Sequence, residues 1–550
     1  MSDLARQLGA YYEEVSDIIL ARQHPVTGLL PASTAVNEHG DYRDAWVRDN
    51  VYSILAVWGL ALAYRNLDDD GGRGFELEHS VIKLMRGLLA AMMRQSPKVE
   101  AFKMTQDPLD ALHAKYDTAT GDTVIPDDAW GHLQIDATSL YLLMLAQMTA
   151  SGLRIIYTQD EVNFIQNLVF YIGRAYRTPD YGIWERGDKT NHGLPELNAS
   201  SVAMAKAALE ALSNFNLYGV RGSQPSVIHV LPDEVARARI TLEALLPRES
   251  SSKEVDAALL GAISFPAFAI EDRGLLERTR ETILGKLDGN YGLKRFLRDG
   301  HQTVLEDAER LHYEPEELRQ FEHIEAEWPL FFTYLVLDGL FFDRPEQVAT
   351  YSKRLERVAI DANGRKLLPE LYYVPGDLVE AEREKPGSQT RVPNENVPLV
   401  WAQSLHILGK LLSDGLISVF DVDPLGRHQK LDRAAKPVVQ LALIAEDETL
   451  QETLLLKTDA TIGAGYGNML ISSMGDWIAI EVFSDFPEER GVWLFSADST
   501  QKTHLGIGTS NPLWLDNDTL LFTAKVNGEE ETHVFNAVTN ERFEVVNSQQ

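Results

Sequence analysis

The feature that most limits what this chain can fold into is an alternation between two kinds of helical segment. A period near 3.6 predicts about twelve helices, beginning near 3, 49, 76, 134, 159, 198, 231, 253, 274, 324, 345 and 396. The odd-numbered members, such as LARQLGAYYEEVSDIILARQ and PEQVATYSKRLERVAI, pair an apolar stripe with a charged face and should meet solvent. The even-numbered ones, such as NVYSILAVWGLALAY and EWPLFFTYLVLDGLFF, are apolar nearly all round, which calls for burial inside a shell of other helices. An inner and an outer set follow.

The connections alternate as well. Long segments follow the first, third, fifth, ninth and eleventh helices, at about 24–48, 96–133, 178–197, 289–322 and 361–395, and most others are short. The link after the seventh is an exception. Helices running up and down would bring every connection after an odd helix to one end, and long loops in compact domains are commonly functional. The expected fold is mainly α: an (α/α)6 barrel, or toroid of six helical hairpins, over residues 1–425 with one pocket on one face. A linker is expected at 426–436. Beyond it, runs such as WIAIEVF, GVWLFSA and LLFTAKV predict a smaller C-terminal all-β domain over 437–550, its role unknown.

Composition narrows the function. With 51 Lys+Arg against 82 Asp+Glu the net charge is −31, and the 550 residues include no cysteine. That excludes a disulfide framework, thiolate metal centres and thiol nucleophiles. The negative surplus repels phosphate backbones and anionic lipid, so neither nucleic acid nor membrane is an expected partner. The acidic amphipathic start, and the want of an apolar run of about 18 residues, predict a soluble, cytoplasmic protein. No metal or cofactor is expected. NLDDDGGRGFELE opens on Asn66 and carries Leu77 where a calcium loop needs Glu. GAGYGN lacks the Lys and hydroxyl residue of a phosphate loop, and neither HExxH nor GxSxG occurs. The triplets at Asn198 and Asn517 carry no meaning in the cytoplasm, and the basic stretch Arg427 to Lys436 reads as linker.

Carboxylates in the long segments come with tryptophan. Trp46-Val47-Arg48-Asp49, Trp130 with Gln134, Trp184-Glu185-Arg186 and Glu327-Trp328 lie in or beside them, and Trp401 opens the last inner helix. Indole faces beside Asp, Glu, Arg and Gln suit a sugar, which offers flat CH faces and many hydroxyls. A glycosidase needs two carboxyl groups across the scissile bond, one protonated and one ionised. Glu185 and Glu370, from different long segments, are the candidate catalytic pair. Arg48-Asp49 is equally readable as a helix cap.

HPVTGLLPAS, DAWVRDNVYSILAVWGLALAYR, WGHLQIDATSLYLLMLAQMTASGL, GIWERGDKTN, ELNASSVAMAKAALEAL, EWPLFFTYLVLDG and LLPELYYVP together resemble the glucoamylase family, glycoside hydrolase family 15. The likeness is strongest to the glucoamylase-like amino-terminal domain of the phosphorylase kinase alpha and beta regulatory subunits. It covers roughly residues 1–425 and leaves the β domain outside. The resemblance implies an (α/α)6 barrel and inverting release of glucose from α-glucan non-reducing ends. It makes Glu185 the general acid and Glu370 the general base, and it gives Arg48, Asp49, Trp130 and Gln134 to sugar binding, with Arg295 or Arg298 as a further guanidinium; the tryptophan pattern itself adds Trp46, Trp184, Trp328 and Trp401, with Arg186, as expected sugar contacts. Arg186 stands where fungal glucoamylases carry a second glutamate, which puts the next subsite in doubt, and Glu196 is a nearby competing carboxylate. Two functions follow as expectations: an α-glucan or maltooligosaccharide hydrolase, or a non-catalytic glucan-binding or regulatory module of glycogen metabolism. The β domain is a candidate for docking a protein partner.

Overall fold

The computed structural model describes residues 3–431, apart from 34–35, 38–39, 68–69, 191–192, 220–223, 308–309, 311 and 363, and residues 466–545, apart from 483–489, 497–500 and 527–528. The chain divides into two compact units, Met1–Arg433 and Ala434–Gln550. The first is helical and the second holds antiparallel sheet.

The helices of the first unit are α1 (Asp3–Ile18), α2 (Val47–Ser53), α3 (Leu55–Tyr64), α4 (Arg73–Met93), α5 (Ser96–Thr105), α6 (Ile135–Ala150), α7 (Gln159–Ile172) and α8 (Ala199–Leu212). After these come α9 (Pro232–Leu245), α10 (Leu259–Ile263), α11 (Arg273–Leu287), α12 (Leu330–Phe341), α13 (Pro345–Val358), α14 (Val379–Glu384), α15 (Val400–Ser413) and α16 (Val419–Val422). Burial sorts them as the patterning requires. Every residue of α2 and α3 is buried, as is nearly all of α6, α8, α12 and α15. By contrast, α1 buries Leu8, Tyr11, Val15 and Ile18, and α13 buries Tyr351, Leu355 and Val358, each a single stripe at helical spacing.

The buried helices pack in a circuit. Helix α2 lies against α6 and α15, α6 against α8, α8 against α10, α10 against α12, and α12 against α15. The striped helices back onto them, α4 onto α3, α9 onto α8, α11 onto α10 and α13 onto α12. Two sequence expectations need correction. The segment 96–133, expected as a long connection, begins with α5, whose Pro97 occupies the first turn, where a missing N–H costs nothing. The helix expected from 253 is only the five-residue α10.

Local chemistry fixes the helix ends. Thr158 and Glu161 form a reciprocal capping box at α7, and the Asp272 carboxylate accepts the Leu275 N–H at α11. Asp70, within the acidic run that imitates a calcium loop, accepts the N–H groups of Gly72 and Gly74 at the entry to α4. Among the described residues no cluster of His, Asp or Glu is arranged to hold a metal, and no helix is long and apolar enough to cross a membrane. Far along the chain, Arg427–Lys430 form one tight turn. The Arg427 guanidinium is buried, donating to the Ala267 carbonyl and to Glu210, which also accepts from Lys206 and Lys430. Residues 432–436 of the expected linker, and the VVQLALIA run after it, lie outside the described residues.

In the second unit two four-stranded antiparallel sheets form. One orders Lys502–His504, Gly491–Ser496, Trp477–Val482 and Tyr466–Ile471; the other orders Thr509–Trp514, Thr519–Val526, Glu529–Asn536 and Glu541–Glu544. Alternate residues turn inward, so that Ala479, Val492 and Leu494 join Leu520, Phe522 and Ala524 in one apolar cluster.

Candidate functional site

The helical unit encloses a cavity of about 590 Å³, in the range that holds a small organic ligand. Each of the five long connections supplies part of its wall: Trp46 from the first, Trp130 from the second, Glu185 from the third, Arg295 from the fourth and Glu370 from the fifth.

Trp46 enters through a two-residue antiparallel pairing, Ala45–Trp46 with Lys115–Tyr116, which sets Trp46 opposite Lys115. The Lys115 ammonium sits 4.0 Å from the Trp46 ring centre and 5.9 Å from that of Trp130, and pairs with Asp44 at 2.9 Å. The chain then turns into α2. The Asn50 side chain holds that turn by donating to the carbonyls of Leu30 and Trp46 and accepting the Leu30 N–H. Arg48 and Asp49, in the first turn, line the cavity. Arg48 is only 2% exposed. Its Nε and Nη2 reach both oxygens of Asp136 at 2.7 and 3.1 Å, and Nη2 also donates to Gln134 Oε1 at 2.9 Å. Gln134 and Asp136, at the start of α6, therefore aim the remaining nitrogen, Nη1, which lies 3.6 Å from Glu185 Oε1.

Glu185 follows Trp184 on a loop closed by its own N–H donating to the Gly182 carbonyl. Its backbone φ is +71°, a left-handed conformation that side-chain-bearing residues adopt at a cost. The loop can come this close to the α6 entry because residue 131 is glycine. A Cβ there would stand 2.5 Å from the Glu185 carbonyl oxygen. Burial lifts the Glu185 carboxyl above the usual range, against the opposing charges of Arg48, Lys115, Arg186 and Arg295. Burial also pushes Asp49 up to about 7, with Arg48 opposing and the charges of Glu185 and Glu370 adding to the rise.

The Trp184 indole N–H donates to Asp256 Oδ2 at 2.9 Å, and its ring lies 5.7 Å from that of Trp328. The Arg295 guanidinium stands 4.8 Å from the Trp184 ring and 5.2 Å from the Trp328 ring, its fork closed on Asp299 at 2.6 and 2.9 Å. Trp401 stacks on Tyr52 at 4.7 Å.

Glu370 is held differently. Its N–H donates to the Asn396 carbonyl, and its Oε2 accepts from the side-chain amides of Asn394, Asn396 and Gln302 at 2.6, 2.8 and 3.2 Å. The Gln302 amide also donates to the Tyr42 hydroxyl at 3.1 Å. Tyr42 lines the cavity, and burial together with the Glu370 charge raises its hydroxyl well above the usual tyrosine range.

The cavity thus gathers Trp46, Arg48, Asp49, Trp130, Trp184, Glu185, Arg186, Arg295, Trp328, Glu370 and Trp401. Gln134 stands behind Arg48. Arg298 does not reach the cavity wall; its N–H donates to Glu325, and its guanidinium lies 3.9 Å from Glu322. Glu196 is engaged elsewhere, accepting from the hydroxyls of Ser250, Ser251 and Ser252. Asn198 is buried, its amide donating to Asp180 and to the Glu196 carbonyl. Sequence reasoning missed Tyr42, Lys115, Gln302, Asn394 and Asn396. Of these only Tyr42, four residues before Trp46, carried a usable signal, an aromatic just ahead of the DAWVRDN motif.

Comparison with known proteins bears on the family and the fold. A family model described as glycosyl hydrolases family 15 matches residues 5–458. The phosphorylase b kinase regulatory subunit alpha, skeletal muscle isoform, of Oryctolagus cuniculus is 58% identical over 452 residues, covering 82% of this chain and 36% of that protein. The liver isoform of Takifugu rubripes is 50% identical over 546 residues, covering 97% of this chain and 43% of that protein. The chain therefore spans about two-fifths of the length of the curated relatives it matches. The second alignment also corrects the expectation that the resemblance ends near residue 425. A solved glycosidase structure, 17% identical, superposes with a TM-score of 0.50 over 76% of this chain and 99% of its own, a likeness of fold alone.

Proposed function

The chain belongs to glycosyl hydrolases family 15, and from that premise we propose that it is a glucan-binding regulatory module of glycogen metabolism, holding the non-reducing end of an α-glucan in the cavity. The observation that carries this reading is one pocket in which Arg48, Asp49 and the indoles of Trp46, Trp130, Trp184 and Trp328 converge, in a chain 58% identical to a protein named as a regulatory subunit. Arg48, fixed from behind by Asp136 and Gln134, grips hydroxyls with little ordering left to do on binding. The tryptophans cover the CH faces of the ring. The buried helices belong to an (α/α)6 barrel, whose five elaborated connections make the pocket. The protein works in the cytoplasm, and the C-terminal β region docks a protein partner.

Hydrolysis is the second reading, favoured by the presence of both carboxylates on one cavity. Glu185, lifted by burial, would protonate the glycosidic oxygen, and Glu370 would remove a proton from the attacking water. An inverting pair of this kind stands about 6.5 to 9.5 Å apart, leaving room for that water.

One pair of measurements decides between them. Titration calorimetry with maltotriose reads binding, and glucose release from glycogen reads turnover. Binding without release supports the module. Release that vanishes in Glu185→Gln while binding persists makes the chain a hydrolase. Absence of both removes the pocket reading.

A further inference from the structure

The position of Arg186 bears on what lies beyond the terminal sugar. In a pocket where Glu185 faces the anomeric oxygen of a bound ring, the substituent on that oxygen lies beside Glu185. Arg186 is the next residue, also lines the cavity, and keeps its side chain 37% exposed. Its guanidinium puts a positive charge beside that oxygen, a reversal of the sign that Glu185 carries when ionised.

The surroundings strengthen that reversal. Four cations act on the Glu185 carboxylate: Arg48, Lys115, Arg186 and Arg295. Arg48 and Arg295 are each closed on an aspartate by two hydrogen bonds. Arg186 meets Glu306 only at 3.4 Å, the long end of the hydrogen-bond range. Lys115 meets Asp44 at 2.9 Å and leans over Trp46 and toward Trp130, so its ammonium overlooks the same space. Besides Glu185, four carboxylates line the cavity: Asp49, Glu370, Asp127 and Asp128. Asp127 is tied to Lys98 at 2.7 Å and His113 at 2.5 Å, and Asp128 is exposed and opposes. The net charge of −31 does not decide the matter, because beyond about 8 Å salt screens most of it and the nearest groups dominate.

We infer that the cavity selects an α-glucosyl ring whose anomeric substituent is anionic, a sugar phosphate of the α-glucosyl phosphate type, with Arg186 and Lys115 receiving the phosphoryl oxygens. A guanidinium and an ammonium are the natural partners of such a group, the first through its planar fork and the second as a point charge. The inference rests on the pocket reading proposed above and adds to it the chemistry of the next subsite.

The test is displacement of maltotriose from the full chain, followed by calorimetry with methyl α-D-glucoside, α-D-glucose 1-phosphate and inorganic phosphate as competitors. The sugar phosphate should compete about tenfold better than the methyl glucoside, and inorganic phosphate should not compete. The ratio of the two sugar affinities should fall toward one in Arg186→Gln and, separately, in Lys115→Gln, which guards against either variant failing to fold. Equal affinities in the wild type, or a ratio that survives both substitutions, would overturn the inference. So would displacement by inorganic phosphate as strong as by the sugar phosphate, which marks a bare anion site. If maltotriose binds and the phosphate preference is missing, this inference alone falls; if no sugar binds, the pocket reading falls first and takes it along.

Discussion

Glu185 and Glu370 face one cavity from two unlike settings. Around Glu185 the neighbours are charged: Arg48 behind it, Arg186 beside it, Lys115 and Arg295 within electrostatic reach. Around Glu370 they are neutral amides, those of Asn394, Asn396 and Gln302 converging on one oxygen. A carboxyl lifted by burial is suited to carry a proton, whereas three N–H donors on one oxygen fix the orientation of the Glu370 carboxylate. The difference teaches that two glutamates can be given separate chemistry by their neighbours alone.

The sharpest way to break that contrast is to remove the charge behind Glu185. Arg48→Ala leaves Asp136 and Glu185 without their buried partner, and the expected loss is about 3 to 5 kcal/mol of unfolding free energy in urea titration. A loss below about 1 kcal/mol would mean that water replaces the guanidinium and that the charged setting is incidental. On the neutral side, Asn396→Ala removes one of three donors. It should cost about 1 to 3 kcal/mol by the same measurement, and a cost equal to that of Arg48→Ala would erase the distinction.

The pH dependence sharpens it further. Asp49 is pushed up to about 7 by burial, against about 3.9 for an unfolded aspartate. The folded protein therefore holds this proton more tightly. The stability it contributes is complete below about pH 4 and is lost as pH rises through about 7. In Asp49→Asn the urea midpoint should fall less between those values than it does in the wild type; parallel curves would show that Asp49 titrates normally. The smallest effect concerns the Glu185 backbone. Glu185→Gly frees a left-handed position at φ +71° and should raise the thermal midpoint by the equivalent of about 1 kcal/mol, although it removes the carboxyl. A lowered midpoint would show that the cations around Glu185 need its charge more than the backbone needs relief.

Much of the helical unit was legible beforehand because two physical signals agreed. In α3 and α12 the apolar residues run all round, and in α1 and α13 they form a stripe. Where the signal was thin the reading failed. Helix α5 buries only Val99 and Phe102, too few to show a period, and α10 is a five-residue fragment among buried loops. In the cavity Trp184 and Glu185 stood out by adjacency, and Glu370 by its place in another long segment. The amides around Glu370 did not, since Gln302 and Asn394 come from separate loops and carry neither charge nor period. Which of Arg295 and Arg298 would line the cavity also waited on the fold: the two are three residues apart, and only Arg295 lies across Trp184 and Trp328.

The turn at Arg427–Lys430 has a practical bearing on how the helical unit can be handled in isolation. Its guanidinium caps the Ala267 carbonyl and shares Glu210 with Lys206, so residues more than 150 positions upstream rely on the last stretch of that unit. An expression boundary drawn at residue 415, where the final large helix has just ended, would strand those partners and deliver insoluble material. One drawn past Arg433, the edge of the compact unit, keeps the fastening and is the shortest fragment worth purifying.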